Sequence, residues 1–267
     1  MNRALLVGIN KYPPQYSSLE GCVNDVTDMA SFLVAHCGFA MDDVHLVCDT
    51  RATTAYIKDR LTWLVTGVAA GDRILFHFSG HGSQYAERDN QGITTEVHDC
   101  ICPYDFAFDP AFMLTDADFS TIFAPVPNGA LFDWISDSCH SGDLTKSIVQ
   151  AEHPRYIAPP ADIQWRIDAS KAKRLAMKDI PSASATLNVA LIAGCTSVQE
   201  SMDAVFNNRH NGALTYFLLS ALSGANGLTT PLSTLIPSVT AQIESSGYDQ
   251  TPQLHGSAAL TSQPFLN

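Results

Sequence analysis

The stretch FHFSGHG, residues 76–82, is an apolar run that ends in a histidine flanked by two glycines. A second apolar run, ALFDWISDSCHSG at residues 130–142, ends in a similar turn that carries a cysteine. Nearly continuous apolar runs of this length are typical of strands buried on both faces of a sheet. Each run therefore predicts a strand followed directly by a turn with a reactive side chain, His81 in one and Cys139 in the other.

The same kind of pattern recurs along the chain. Further apolar runs at residues 4–9, 44–48 and 189–193 alternate with segments of helical spacing at residues 24–37, 54–66 and 212–222. This alternation predicts an α/β fold with a central, mostly parallel sheet that is covered by helices on both sides. A chain of 267 residues is a usual length for one such domain.

The two turns are expected to form one site, because ligands of such sheets bind beyond the carboxyl ends of the strands. A free thiol is mostly protonated at neutral pH, and a nearby imidazole is a common means of obtaining the thiolate. The amides of Gly82 and Cys139 are candidates to stabilise an oxyanion. Either motif alone is also compatible with a tight turn that carries an incidental polar residue, whereas the pair favours a shared site.

The composition bears on location and partners. A net charge of −12 argues against nucleic-acid binding, which needs clustered basic residues, and no apolar run is long enough to span a bilayer. The N-terminal residues lack the pattern of a signal peptide, and seven cysteines without framework spacing suit a reducing compartment. We therefore expect a soluble, cytoplasmic protein without a membrane or nucleic-acid partner.

One segment interrupts the alternation, from Asp143 to Ala185. It contains no clear strand pattern, several prolines and seven of the fifteen basic residues of the chain. A long excursion of this composition in a compact domain predicts a flexible basic insertion, such as a lid, linker or processing loop.

The segments FHFSGHGSQ and FDWISDSCHSG resemble the histidine and cysteine motifs of the caspase-like cysteine peptidases, and most closely those of the metacaspases and bacterial orthocaspases. The segments ALLVGINKY, LEGCVNDVTDM, HDCICPYDF, NGALTYFLLSAL and DQTPQL also resemble metacaspase segments and occur in the same order. The Q-A-C-x-G signature of true caspases is not found in the chain.

This resemblance implies a single three-layer α/β/α caspase-like domain over residues 1–267, with residues 143–185 as the insertion. It implies hydrolysis of peptide bonds through an acyl-enzyme, with Cys139 as the nucleophile and His81 as the general base and acid. It also implies a monomer that acts on protein or peptide substrates and requires no cofactor in the chemical step.

The resemblance further implies cleavage after Arg or Lys. The matching positions for the pocket that binds the residue before the cut are Asp25, Ser79, Asp137 and Cys22. Two carboxylates in a partly desolvated pocket would attract a guanidinium and repel an acidic side chain. The alternative interpretation is that Asp25 caps a helix and Asp137 is a turn residue.

Many metacaspases bind calcium, but the corresponding acidic segments differ in this chain. His98 stands where an acid is expected, Asp116 and Asp118 are separated by Ala117, and Lys146 follows the cysteine motif. Because Ca²⁺ prefers several oxygen ligands, the sequence disfavours calcium dependence and predicts no metal ligand.

Other possibilities stay open. The basic insertion could be a site of self-cleavage, with KAKR at Arg174 as the most obvious target, or it could be a solvated helix. The main alternative function is a catalytically silent caspase-like scaffold that binds a protein partner in the same cleft. A serine hydrolase that uses Ser138 or Ser141 would lack the G-x-S-x-G elbow, and Cys100 and Cys102 are too close together for a usual zinc pair.

Overall fold

The computed structural model describes residues 1–139, 153–177, 187–196 and 199–267. The strands in these ranges are β1 (Asn2–Gly8), β2 (Val44–Cys48), β3 (Arg73–Ser79), β4 (Gly82–Arg88), β5 (Thr94–Ile101), β6 (Leu114–Thr115), β7 (Leu131–Asp137), β8 (His153–Pro154), β9 (Ala190–Ala193), β10 (Met202–Phe206), β11 (Arg209–Gly212) and β12 (Gln253–His255). The helices are α1 (Cys22–His36), α2 (Thr54–Val65), α3 (Asp116–Phe123), α4 (Ala161–Met177), α5 (Ala213–Leu222), α6 (Leu232–Ser245) and α7 (Ala258–Thr261). None of the described helices is long and apolar enough to cross a membrane.

Six strands form a central sheet in the order β12-β9-β7-β3-β1-β2. All neighbours in it are parallel except β12, which pairs with β9 in the antiparallel direction. The register places Gly8 of β1 beside Ser79 of β3, and Ser79 beside Asp137 of β7. The carboxyl ends of these three strands therefore meet at one edge of the sheet.

Helices cover both faces of the sheet because its strands are apolar on both sides. Along β1, Leu5 and Val7 belong to one buried cluster, which also includes apolar residues of α2 and α3. Ala4 and Leu6 belong to a second cluster, built with residues of α1, α5 and α6. The five predicted strands and three predicted helices are thus present, and the three-layer α/β architecture is confirmed.

Two small sheets lie beyond the central one, with strand orders β4-β5-β6 and β11-β10-β8. Their strands carry mixed polar and apolar residues, such as GSQYAER in β4, and the apolar runs of the sequence did not reveal them. The segment from Asp143 to Ala185, which shows no clear strand pattern in the sequence, forms regular structure over its described residues, because β8 pairs with β10 and the seventeen-residue helix α4 follows it.

Gly8 at the end of β1 sets how closely helix α1 approaches the sheet. A Cβ at this position would lie 2.5 Å from the Cys22 carbonyl oxygen and 2.7 Å from Val26 Cγ2. Because the neighbouring atoms include backbone, relief requires movement of the whole helix N-terminus, which carries Asp25.

We predict that Gly8→Ala lowers the free energy of unfolding by about 2–3 kcal/mol, measured by urea denaturation, since overpacking of a filled core carries this cost. The control is Gly67→Ala, where φ is +73° and nothing lies within 4 Å of the added Cβ. Backbone strain alone should lower the free energy of unfolding of Gly67→Ala by about 1 kcal/mol. A Gly8→Ala protein as stable as wild type would show that α1 is not closely packed on β1.

Candidate active site

The predicted turns after β3 and β7 lie side by side at the carboxyl edge of the sheet. The amide of Gly80 donates to the carbonyl of Asp137 at 3.4 Å, and the amide of Cys102 donates to the carbonyl of His81 at 2.9 Å. The first bond continues the parallel pairing of β3 with β7, and the second continues the antiparallel pairing of β4 with β5. His81 and Cys139 therefore lie in one region, as the sequence predicts.

His81 is fully buried, and its contacts define the tautomer. Its Nε2 lies 2.8 Å from the carbonyl oxygen of Ser17, which can only accept a hydrogen bond, so Nε2 carries the proton. Nδ1 has no partner in the described structure. Burial lowers the pKa of His81 to about 4, so the imidazole is neutral at pH 7 and Nδ1 can accept a proton.

Cys139 is also fully buried. The Ser201 amide donates to the Cys139 sulfur, and the Sγ of Cys195 lies 3.5 Å from it. Burial raises the pKa of the Cys139 thiol, so it is protonated in this state. Within the described residues, no hydrogen bond connects the Cys139 thiol to the His81 ring.

Arg155 is the largest fully buried side chain of the described residues, and its guanidinium lies in a pocket of carboxylates. Its Nη2 lies 2.8 Å from Asp25 Oδ2 and 3.2 Å from Asp203 Oδ1, while its Nη1 lies 3.1 Å from Asp137 Oδ1. Nη1 also donates to Ser79 Oγ at 2.8 Å. The predicted flexible basic insertion thus contains a buried residue that the sequence pattern did not indicate.

The backbone of Arg155 lies across the two turns. Its carbonyl accepts hydrogen bonds from the amides of Gly82 at 3.0 Å and Cys139 at 3.1 Å. Its amide donates to the Ser201 carbonyl at 3.1 Å, and the Ile157 amide donates to the Gly82 carbonyl at 2.9 Å. The chain is thus extended on both sides of Arg155, with β8 added to the edge of β10.

The predicted pocket residues occur together around this guanidinium. Ser79 Oγ donates to Asp25 Oδ2 at 2.7 Å, and both groups are fully buried. Cys22, the first residue of α1, is buried beside them, and burial raises the pKa of its thiol. Asp25 does not cap its helix, because the N-cap residue is Gly21 and no side chain caps it. The Asp25 carboxylate also accepts hydrogen bonds from Asn211 Nδ2 and the Gly212 amide.

Asp137 is equally well supported, since its carboxylate accepts hydrogen bonds from Ser201 Oγ at 2.6 Å and from Thr215 Oγ1 at 2.7 Å. Burial raises its pKa, but the Arg155 charge and these donors outweigh burial, and the pKa lies below its usual value. At Asp25, by contrast, burial dominates and raises the pKa to about 6, although Arg155 opposes the shift. Asp137 therefore stays ionised to lower pH than Asp25 does.

Comparison with known proteins identifies the family. A family model described as Metacaspase, peptidase C14 domain, matches residues 2–147. The chain belongs to this family. Metacaspase-7 of Arabidopsis thaliana is 38% identical over 147 residues, which cover 53% of this chain and 35% of that protein. The chain spans about a third of the length of the Arabidopsis metacaspases that it matches.

Other similar proteins match more of the chain. Metacaspase-1 of Scheffersomyces stipitis is 29% identical over 287 residues, which cover 94% of this chain and 70% of that protein. Protein GSU0716 from Geobacter sulfurreducens has a TM-score of 0.71 at 25% identity and covers 98% of this chain and 97% of its own. Caspase-1 from Spodoptera frugiperda has a TM-score of 0.58 at 13% identity over 96% of this chain and 86% of its own. The metacaspase resemblance and the caspase-like fold are therefore confirmed.

The metacaspase motifs did not reveal Asp203, which supplies a third carboxylate to the pocket. It lies on β10, and its oxygens accept hydrogen bonds from the amides of Glu20 and Gly21. Ser17, whose carbonyl orients His81, was missed for a similar reason. Both contacts join segments that are far apart in the sequence and carry no periodic signal of their own.

The acidic segments that the metacaspase resemblance assigns to calcium are arranged around His98. Its Nδ1 lies 2.6 Å from Asp116 Oδ1, and its Nε2 lies 3.3 Å from Glu87 Oε2 and 4.0 Å from Glu96 Oε2. Asp118 instead belongs to a helix capping box and pairs with Lys58. A buried imidazole in the middle of the cluster does not fit a cation that prefers an all-oxygen cage. Ser141 and Lys146 lie outside the described residues.

We predict that replacing Arg155 destabilises the domain, because three buried carboxylates would lose their cation. Arg155→Gln in a Cys139→Ala background should lower the free energy of unfolding by about 3 kcal/mol in urea denaturation. Arg166→Gln is the control, since Arg166 Nη1 donates to the exposed carbonyl of Gly92 and loss of this bond should cost about 0.5 kcal/mol or less. Equal stabilities for the two variants would contradict burial of Arg155 in the pocket.

We also predict that His98 stabilises the fold mainly when it is protonated. Burial lowers the pKa of His98, but hydrogen bonds and charges from Asp116, Glu87 and Glu96 outweigh it, and the pKa is raised. A raised folded-state pKa gives stability that is present below the unfolded-state pKa and lost as pH rises through the folded-state value. His98→Gln should therefore cost about 1 kcal/mol near pH 5.5 and less near pH 9, measured by urea unfolding. If the loss of unfolding free energy in His98→Gln did not change with pH, the prediction that His98 is protonated in the folded state would be wrong.

Proposed function

We propose that this protein is a cysteine endopeptidase of metacaspase type that cleaves after Arg or Lys. The observation that supports this best is the position of Arg155. Its side chain occupies the carboxylate pocket, while its carbonyl accepts hydrogen bonds from the amides of Gly82 and Cys139. Arg155 is thus bound in the way expected of the residue that precedes a scissile peptide bond. Tyr156 would then be the first residue of the leaving group.

The proposed mechanism uses groups that surround the Arg155 carbonyl. Rotation about the Cα–Cβ bond of Cys139 would bring Sγ to the carbonyl carbon and to His81 Nδ1, which takes the thiol proton. The amides of Gly82 and Cys139 then stabilise the oxyanion, since they already donate to the carbonyl oxygen. His81 returns the proton to the leaving amine, and water hydrolyses the acyl-enzyme with His81 as base.

The carboxylates of the pocket account for the proposed specificity. Asp25, Asp137 and Asp203 contact the two terminal nitrogens of the guanidinium, and Ser79 Oγ adds a neutral acceptor. A guanidinium uses its forked donors here, whereas a Lys ammonium offers one point charge. Arg should therefore be preferred to Lys, and an acidic residue should be rejected by like charge.

The proposal includes no calcium requirement. The imidazole of His98 among the acidic side chains supports this part of the proposal. It also places the enzyme in the cytoplasm as a monomer that acts on protein substrates, without nucleic-acid or membrane partners. The net charge of −12 supports the exclusion of nucleic acid.

We predict that the incubated enzyme hydrolyses a fluorogenic peptide ending in Arg, with or without calcium, and leaves the same peptide ending in Asp intact. Cys139→Ala should lower kcat/KM by at least about 1000-fold because the nucleophile is lost. Asp25→Asn should lower it about 100-fold by leaving the substrate guanidinium underpaired. Asp28→Asn is the matched control, since Asp28 lies one turn further on α1 and pairs with Arg209 near the surface.

Absence of cleavage by folded, incubated protein would favour the alternative function, a silent scaffold that binds a partner in the cleft. Cleavage after Asp would contradict the proposed pocket. Activity that depends on calcium would contradict the cofactor proposal and leave the peptidase proposal intact.

We predict that self-cleavage occurs after Arg155 and not at Arg174. The KAKR sequence lies within helix α4, whose backbone is not extended, and the side chain of Arg174 lies outside the described residues. Arg155 already lies extended across the turns. Incubated wild-type protein should give a new N-terminus at Tyr156 in mass spectrometry, while Cys139→Ala stays intact.

Arg155→Ala should abolish this cut, and Arg174→Ala should leave it unchanged. A new N-terminus after residue 174, or one identical chain for wild type and Cys139→Ala, would rule out the predicted cleavage site.

A further inference from the structure

Cys139 has a second cysteine as its neighbour, and the fold explains why. Strands β7 and β9 are parallel, with Ser136 beside Ala193, so Ser138 and Cys195 occupy corresponding positions just beyond the strand ends. The Gly194 amide donates to the Ser136 carbonyl at 2.8 Å, which continues this pairing. The two sulfur atoms lie 3.5 Å apart, and both cysteines are reduced.

This arrangement suits a disulfide. Adjacent strands lie about 4.8 Å apart and rise about 3.3 Å per residue, so positions one residue out of register are separated by about 6 Å, within the range of about 4.4–6.8 Å that a disulfide bridges. Closure requires the sulfur atoms to approach from 3.5 Å to about 2.05 Å, a movement that side-chain rotation can supply. Cys195 is half-buried, and its Sγ donates to the Gln199 carbonyl at 3.2 Å.

We propose that Cys195 is a resolving cysteine that converts oxidised Cys139 to a reversible disulfide. A hydroperoxide is the oxidant: His81 Nδ1 takes the thiol proton of Cys139, the thiolate attacks the O–O bond, and an S–O bond forms. The leaving hydroxide or alkoxide takes up that proton and departs as water or an alcohol. The sulfur loses two electrons to the peroxide and becomes a sulfenic acid. The Cys195 sulfur then attacks Cys139 Sγ, the S–S bond forms, and the S–O bond breaks with release of water.

The consequence is a redox switch at the proposed nucleophile. A disulfide-bonded Cys139 cannot attack a carbonyl, so the peptidase is silent until a thiol reductant opens the bond. The disulfide also prevents further oxidation to the sulfinic acid, which thiols do not reverse. This inference rests on the proposed function only for its effect on activity, since the disulfide itself can be observed directly.

The test exposes the protein to hydrogen peroxide, blocks free thiols with iodoacetamide and maps peptides by mass spectrometry without reduction. Wild-type protein should yield a cross-linked peptide pair that joins Cys139 to Cys195. Its hydrolysis of an Arg peptide should fall by about tenfold or more and recover with dithiothreitol. Cys195→Ser should keep its activity before oxidation but lose it irreversibly, with sulfinic acid on Cys139.

Cys48→Ser is the matched control, because Cys48 is a half-buried free cysteine elsewhere on the sheet, and it should behave as wild type. No cross-linked pair after oxidation, or equal recovery of wild type and Cys195→Ser, would overturn the proposal. A cross-linked pair in a protein that hydrolyses no peptide when reduced would support the disulfide and refute the peptidase function instead.

Discussion

The buried ion pairs of Arg155 are the interaction on which the site depends. Taking a guanidinium out of water is costly, and the cost is offset here by three carboxylates that come from different elements: Asp25 from α1, Asp137 from β7 and Asp203 from β10. Each carboxylate is in turn held by donors of its own, such as Thr215 for Asp137 and the Gly21 amide for Asp203. The pocket therefore exists only when the helix, the central sheet and the small sheet are all in place.

The same interaction determines what the rest of the cleft can do. While the Arg155 side chain is held in the pocket, its carbonyl accepts hydrogen bonds from the amides of Gly82 and Cys139. Its amide donates to the Ser201 carbonyl. On this account the protein's own segment fills the site as a substrate would, and another peptide must displace it to bind. Under the proposed function, specificity for a basic residue and restraint of the enzyme would have one physical cause, the negative charge of a buried pocket.

Much of the fold was predictable because it rests on local patterns. The apolar runs that end at Ser79 and Asp137 identify buried strands, and their following turns place His81 and Cys139 at one edge. Asp203 and Arg155 could not be predicted in the same way. Asp203 lies on a short strand of mixed polarity, and a basic residue in a proline-rich segment is usually solvated. Their roles depend on long-range pairing between β8 and β10, which no local period of the sequence encodes.

Covalent labelling is the most direct test of the central claim, that Cys139 attacks a carbonyl next to a basic residue bound in the Asp25, Asp137 and Asp203 pocket. The incubated enzyme is treated with a thiol-reactive peptide ketone ending in Arg, or with the same ketone ending in Asp, and the adduct is located by tandem mass spectrometry. We expect one adduct, on Cys139, with the Arg ketone alone. Equal labelling by both ketones, or an Arg-ketone adduct on a cysteine other than Cys139, would contradict it.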